Sequence, residues 1–180
     1  MRHFCFECGA ALEPVMQDGR LREICPACGW VHYDHLKLSS SARVVQDGCL
    51  LLVLRARQPW RGCWYMPAGY VEVDEDPAGA AARETWEETG LRVAVGRLLK
   101  TYTYQDDPRG AGVVFHYEAQ LVGGELRTSS ESAQVGFFTP AQIAALPLAG
   151  ASADRQIADW LAEQLQPLAS NPSQEKTYGR

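Results

Sequence analysis

Three glutamates, Glu84, Glu87 and Glu88, fall within five consecutive positions of the stretch GYVEVDEDPAGAAARETWEETGL, which runs from Gly69 to Leu91. Asp76 and Pro77 mark a helix start, an N-cap followed by proline at the first helical position, and Gly90 marks its end. On that helix the glutamates occupy i, i+3 and i+4 and share one face, where like charges are mutually unfavourable. A divalent cation reverses the sign. Mg²⁺ or Mn²⁺ takes oxygen ligands and keeps several waters, which suits carboxylates together with phosphate oxygens. Arg83 offers a positive charge beside the cluster. On spacing alone, a metal site and a solvated acidic helix face remain equal readings.

A second chemistry-bearing set lies at the other end of the chain. Cys5 and Cys8 form one CxxC pair, Cys25 and Cys28 another, and each pair is followed by glycine, Gly9 or Gly29. Each CxxCG can turn tightly enough to aim two sulfurs at one point, and two such knuckles make a tetrahedral thiolate site for zinc. The competing readings are two disulfides, disfavoured where thiols stay reduced, and a redox pair, disfavoured by the duplication. His32 is a substitute ligand on paper, but four cysteines already complete the shell. Cys49 and Cys63 lie outside the pattern and read as ordinary buried or half-buried thiols.

The elements that must position these groups follow from punctuation and periodicity. Residues 1–34 read as the zinc ribbon and the serine-rich 35–41 as a linker. The main domain, 42–166, opens with strands over Ala42–Val45 and Leu50–Arg57 joined at Gln46-Asp47-Gly48, a good hairpin turn. A short strand at Trp64–Met66 precedes the charged helix. Strands at Val93–Tyr104, Val113–Leu121 and Val135–Thr139 follow it, then helices from Pro140 and over Ala153–Leu165. Residues 167–180, rich in Ser, Asn, Pro and Gln, read as a flexible tail.

The 180 residues carry a net charge of −5, and no long Lys/Arg run appears. Sequence-independent binding to nucleic acid, which needs a concentrated basic surface, is therefore not expected. No apolar run reaches membrane-spanning length, and MRHFCFECG lacks a signal-peptide core, so a cytoplasmic protein is the expectation.

The spacing Gly69, Glu75, Arg83-Glu84, Glu87-Glu88, Gly90 resembles the Nudix box, the loop-helix-loop signature of the Nudix hydrolases. Fixed offsets over 23 positions make a far more specific signal than a short glycine motif. Thr85 departs from the pattern, which asks for a bulky aliphatic residue there. The resemblance implies an α/β/α sandwich around a mixed sheet. It also implies Mg²⁺ or Mn²⁺ held by Glu84, Glu87 and Glu88, with Arg83 orienting a box glutamate. The implied reaction is hydrolysis of a nucleoside diphosphate linked to another group. For the general base, Glu87 and Glu88 stand beside Glu131, which is equally well read as a solvated loop acid.

Trp60, Tyr102, Tyr104 and Phe115 are candidates to stack a base, with Phe115 better read as core. Arg57, with Arg55 and Arg61, could meet phosphates. A ribbon fused to such a domain is similar to the NADH pyrophosphatases, but their Ser-Gln-Pro-Trp array after the box is absent. The run Trp60–Val73 looks closer to FAD or ADP-ribose pyrophosphatases. The expected substrate is thus FAD, ADP-ribose or a related ADP-containing dinucleotide. The alternatives are an NADH or NAD pyrophosphatase and, in another class, a nucleotide-sensing ribbon protein without turnover. Retention of all three glutamates favours the enzyme. The resemblance also allows a homodimer.

Overall fold

The two cysteine knuckles repeat one backbone pattern. Gly9 N–H donates to the Cys5 carbonyl and Gly29 N–H to the Cys25 carbonyl, each at 2.9 Å. Both glycines have positive φ, +73° and +79°, which glycine adopts at least steric cost. A computed structural model describes residues 3 to 165 of the chain, in which one unit ends at Leu36 and another begins at Lys37. In the first unit, β1 (Glu13–Gln17), β2 (Arg20–Ile24) and β3 (Val31–His32) form an antiparallel sheet in that order. Its buried core is small: Cys5, Leu12 and Cys25, with Ala10 and Trp30 packed against them.

The second unit begins with β4 (Lys37–Gln46) and β5 (Cys49–Arg55), joined by Asp47-Gly48 with φ of 51° and 73°, as a two-residue hairpin turn requires. β6 (Trp64–Tyr65) and β7 (Ala68–Tyr70) precede α1 (Pro77–Thr89), and β8 (Leu91–Tyr104), β9 (Gly112–Gly124) and β10 (Ser132–Phe138) follow. The chain continues through α2 (Pro140–Ile143) and α3 (Gly150–Leu165). The sheet runs β10-β5-β4-β9-β8, with β6 on β5 and β7 on β4. Among the strands of the described residues β4 and β9 pair in parallel and the other pairs are antiparallel, so the sheet is mixed.

The alternation of β5 sorts its side chains between two layers. Leu50 and Leu52 pack with Trp64, Ile143, Ile157 and Trp160 on the α2/α3 face. Leu51 points the other way and packs with Ala42, Val44 and Ala81 beneath α1. Helices therefore cover both faces of the sheet, the expected sandwich.

The linker expected at 35–41 is corrected from Lys37 onward. That segment is the first half of β4, and Ser39, Ser40 and Ser41 are buried. A serine-rich strand can lie in the interior because its hydroxyls find partners. Ser40 Oγ donates to the carbonyls of Pro77 at 2.5 Å and Phe115 at 3.2 Å, while Ser41 Oγ donates to Gln156 Oε1 at 3.0 Å. Residues 167–180, read as a tail, lie outside the described residues. Among the described residues, no helix is long and apolar enough to cross a membrane.

Candidate active site

The helix α1 is fixed at both ends by its own sequence. Asp76 Oδ1 accepts from Gly79 N–H at 2.7 Å, and Gly90, at φ 75°, closes the helix with its N–H on the Trp86 carbonyl. Thr85, the departure from the box pattern, is fully buried and turns its hydroxyl onto the Ala81 carbonyl at 2.7 Å. A small β-branched residue thus fits beneath the helix with its polar atom satisfied.

Above that buried face, Arg83 is the hub of the acidic row. Its guanidinium donates to Glu75 at 2.6 Å, Glu84 at 2.7 Å, Glu87 at 3.1 Å and the Tyr70 carbonyl at 2.9 Å. These bonds offset the repulsion that the glutamate spacing imposes. The Arg83 guanidinium holds the Glu75 carboxyl below its ordinary value. Glu84 goes the other way, because burial raises it more than Arg83 lowers it.

The three box glutamates occupy different surroundings. Glu87 is half-exposed, whereas Glu84 leans over Gly69, where a Cβ would come within 2.0 Å of its carboxylate. Gly69 is therefore required by close approach, and Glu84 fills the space its missing side chain leaves. Glu88 is 3% exposed, clasped by the Tyr65 hydroxyl on one oxygen and the Ala68 N–H, at 3.1 Å, on the other. Burial pushes its carboxyl up to about 8 in spite of these donors. Among the described residues Glu84, Glu87 and Glu88 do not converge as a three-carboxylate ligand set; a magnesium-type ion needs only one or two carboxylates, with waters and phosphate oxygens completing its shell.

A cleft of about 220 Å³ opens beside this row. Glu84 and Glu131 are among its acidic lining residues, Arg55 and Arg109 contribute positive charge, and Trp60, Tyr70 and Tyr104 supply aromatic surface. Gly150 makes room for Trp60, since a Cβ there would lie 3.2 Å from the indole. Gly112 does the same for Tyr104, whose hydroxyl would stand 2.3 Å from a Cβ.

Of the residues expected to touch substrate, Trp60 and Tyr104 lie on the cleft, while Arg57 and Tyr102 lie outside its lining. Arg57 instead grips the loop before β10, pairing with Glu131 at 3.1 Å and donating to the Ser130 carbonyl at 3.2 Å. Tyr102 is buried, its hydroxyl donating to Asp159 on α3 at 2.7 Å. Tyr65, Tyr70 and Arg109 were not anticipated. Tyr65 adjoins Trp64 in an apolar strand, and no spacing rule ties it to Glu88, twenty-three positions later.

The four cysteines converge as their spacing demands. Sγ separations of 3.5, 3.5 and 3.7 Å are far too long for disulfides. They approach the edge of about 3.8 Å that a tetrahedron of zinc–sulfur bonds near 2.3 Å would have. The set fits zinc and closes its shell. The described residues hold one more convergent set of metal-ligating side chains, His3, Glu23 and His32.

A family model described as NUDIX domain matches residues 38–161, and a zinc-ribbon model described as Nudix N-terminal matches residues 3–34. A MutT-like protein of Streptomyces ambofaciens is 43% identical over 100 residues, covering 56% of this chain and 61% of that protein. An ADP-ribose pyrophosphatase of Methanocaldococcus jannaschii is 35% identical over 107 residues, covering 59% and 63%. The chain thus matches less than two thirds of the length of these relatives. The crystal structure of a NUDIX hydrolase from Nitrosomonas europaea superposes with a TM-score of 0.77 at 30% identity, covering 91% of this chain and 94% of that one.

Proposed function

The chain belongs to the Nudix family, and from that premise we propose that it hydrolyses the diphosphate bond of a nucleoside diphosphate linked to another group. ADP-ribose, FAD or a related ADP-containing molecule is the substrate class we infer. The observation that carries this reading is the Arg83-linked acidic row opening onto a cleft with aromatic walls. The similarity to an ADP-ribose pyrophosphatase supports the choice of substrate.

Each part of the chain has a role in this reaction. Glu84 and Glu87, with Glu88 behind them, would hold Mg²⁺ or Mn²⁺, and the ion when bound supplies charge neutralisation and an acidified water. Arg83 fixes the direction of Glu84 and Glu87 through Nη1, which donates to both, while Nε and Nη2 grip Glu75. Trp60 and Tyr104 offer faces on which a purine can stack, worth about 1–3 kcal/mol per base by analogy with single-stranded nucleic acids. Arg55 and Arg109 line the cleft as cations for a diphosphate, Arg109 already paired with Asp107 at 2.6 Å. Glu131, which lines the same cleft as Glu84, is the candidate base, paired with Arg57. The cysteine quartet, with no open coordination position, serves structure through zinc.

Purified protein with Mg²⁺ or Mn²⁺ and a panel of FAD, ADP-ribose, NADH and dinucleoside polyphosphates, read by product mass, tests the assignment. The expected outcome is AMP from an ADP-containing substrate. Glu87→Gln should lower turnover at least about a hundredfold, with an unchanged melting temperature. Near wild-type turnover in that variant would sink the reading. Tight binding without products would make the protein a sensor.

A further inference from the structure

The ribbon sheet carries metal-ligating side chains that its cysteine site does not use. Glu23 on β2 and His32 on β3 are directly opposed across the antiparallel pair, so their side chains project to one face. His3 joins them from the chain start, held there by Leu12 N–H donating to its carbonyl at 3.0 Å. His3 Nδ1 lies 2.5 Å from Glu23 Oε2, and the His3 and His32 rings stand 5.1 Å apart between centroids. One ligand atom from each of the three lies within 4.8 Å of the others.

We propose that His3, Glu23 and His32 form a second divalent-cation site on the ribbon. It would take zinc or a similar borderline cation, with a coordination position open to water or a small anion. The donor set decides the class of ion. Two imidazoles and one carboxylate suit zinc, nickel or copper, whereas magnesium and calcium favour oxygen ligands alone. Ligand distances near 2.0–2.2 Å place tetrahedral ligand atoms about 3.4 Å apart, within the reach of small side-chain rotations from the present arrangement. An isolated ion pair accounts for His3 and Glu23 but not for His32 turned onto the same point. Asp34 Oδ1 lies 3.6 Å from His32 Nε2, too far for a hydrogen bond, so the His32 ring is free to turn towards an ion.

The site differs from the cysteine quartet in kind. Four thiolates close a shell, while three mixed ligands leave it open. A bound cation would also fasten residue 3 to the β2–β3 edge, adding a cross-link to a unit with a very small core.

Histidine ring nitrogens read this site without interference from the acidic row, which contains no histidine. The test uses the full chain with its cysteine site already loaded with zinc, labelled with ¹⁵N, and titrated with further Zn²⁺. Of the four histidines, His3 and His32 should move to metal-bound ring-nitrogen shifts while His35 and His116 stay in place. Glu23→Gln should weaken that binding at least about tenfold, and His3→Gln should abolish it. Backbone amide spectra of each variant report whether the ribbon remains folded, and Glu23→Gln keeps the test alive where a histidine variant does not. The proposal is overturned if several equivalents of Zn²⁺ move no histidine ring signal, if His35 responds in place of His3 and His32, or if folded Glu23→Gln binds like the wild type.

Discussion

Gly69 and His116 are single residues whose surroundings give sharp expectations. Gly69 has ordinary backbone angles, so alanine there meets no conformational strain; the conflict is with the Glu84 carboxylate, 2.0 Å from the new Cβ. Gly69→Ala should therefore cost little stability and displace Glu84. A misplacement near 1 Å in a catalytic constellation lowers turnover about a hundredfold, checked by comparing turnover with thermal melting. His116 is 2% exposed, with Nδ1 on Ser41 Oγ at 2.8 Å and Nε2 buried without a partner. Burial, with Arg43 nearby and against the pull of Asp159, lowers it to about 4. The unfolded chain binds this proton near pH 6.5, so the folded state loses stability as pH falls from about 6.5 towards 4. The loss across that window is about 3 kcal/mol from this residue. His116→Gln should remove that part of the slope in urea unfolding measured at successive pH values; an unchanged slope would count against the buried neutral ring.

At the scale of elements, α1 depends on its cap. Asp76→Ala leaves the Gly79 N–H without its 2.7 Å partner and should cost about 1 kcal/mol by chemical denaturation. This helix was legible in the sequence because its determinants are local: a cap, a proline, a terminal glycine and charges one turn apart. The cysteine knuckles were legible for the same reason. The start of β4 was not, because Leu38-Ser39-Ser40-Ser41 has linker composition and its partners, Pro77, Phe115 and Gln156, are remote in sequence. Strand periodicity likewise could not separate Tyr102 from Tyr104. They share a parity on β8, yet one is taken by Asp159 of α3 and the other faces the cleft. Arg57 had the right charge for phosphate, but Ser130 and Glu131 claim it. Reading those outcomes requires the tertiary partner, which spacing does not encode.

For the whole molecule, the two units rest on different kinds of stabilisation. The second has hydrophobic layers on both sheet faces, with Trp160, Ile157 and three successive leucines fully buried. Among its described residues the ribbon buries Cys5, Leu12 and Cys25 as apolar core, so its fold should depend on the zinc its thiolates fit. Chelation should collapse the amide dispersion of residues 5–32 in an NMR spectrum, and restoring zinc should recover it. The parallel pairing of β4 with β9 carries a different consequence, one of timing on the ribosome. Ser40 is opposite Phe115, a separation of 75 positions. At 5–20 residues per second, the nascent β4 waits about 4–15 s for its neighbour after it is made. Throughout that interval both cysteine knuckles have already been made, while β4, the central strand of the sheet, still lacks its parallel neighbour. A strand with three serines bears that interval better than one of valines would, because its hydroxyl-bearing faces stay hydrated until they are covered.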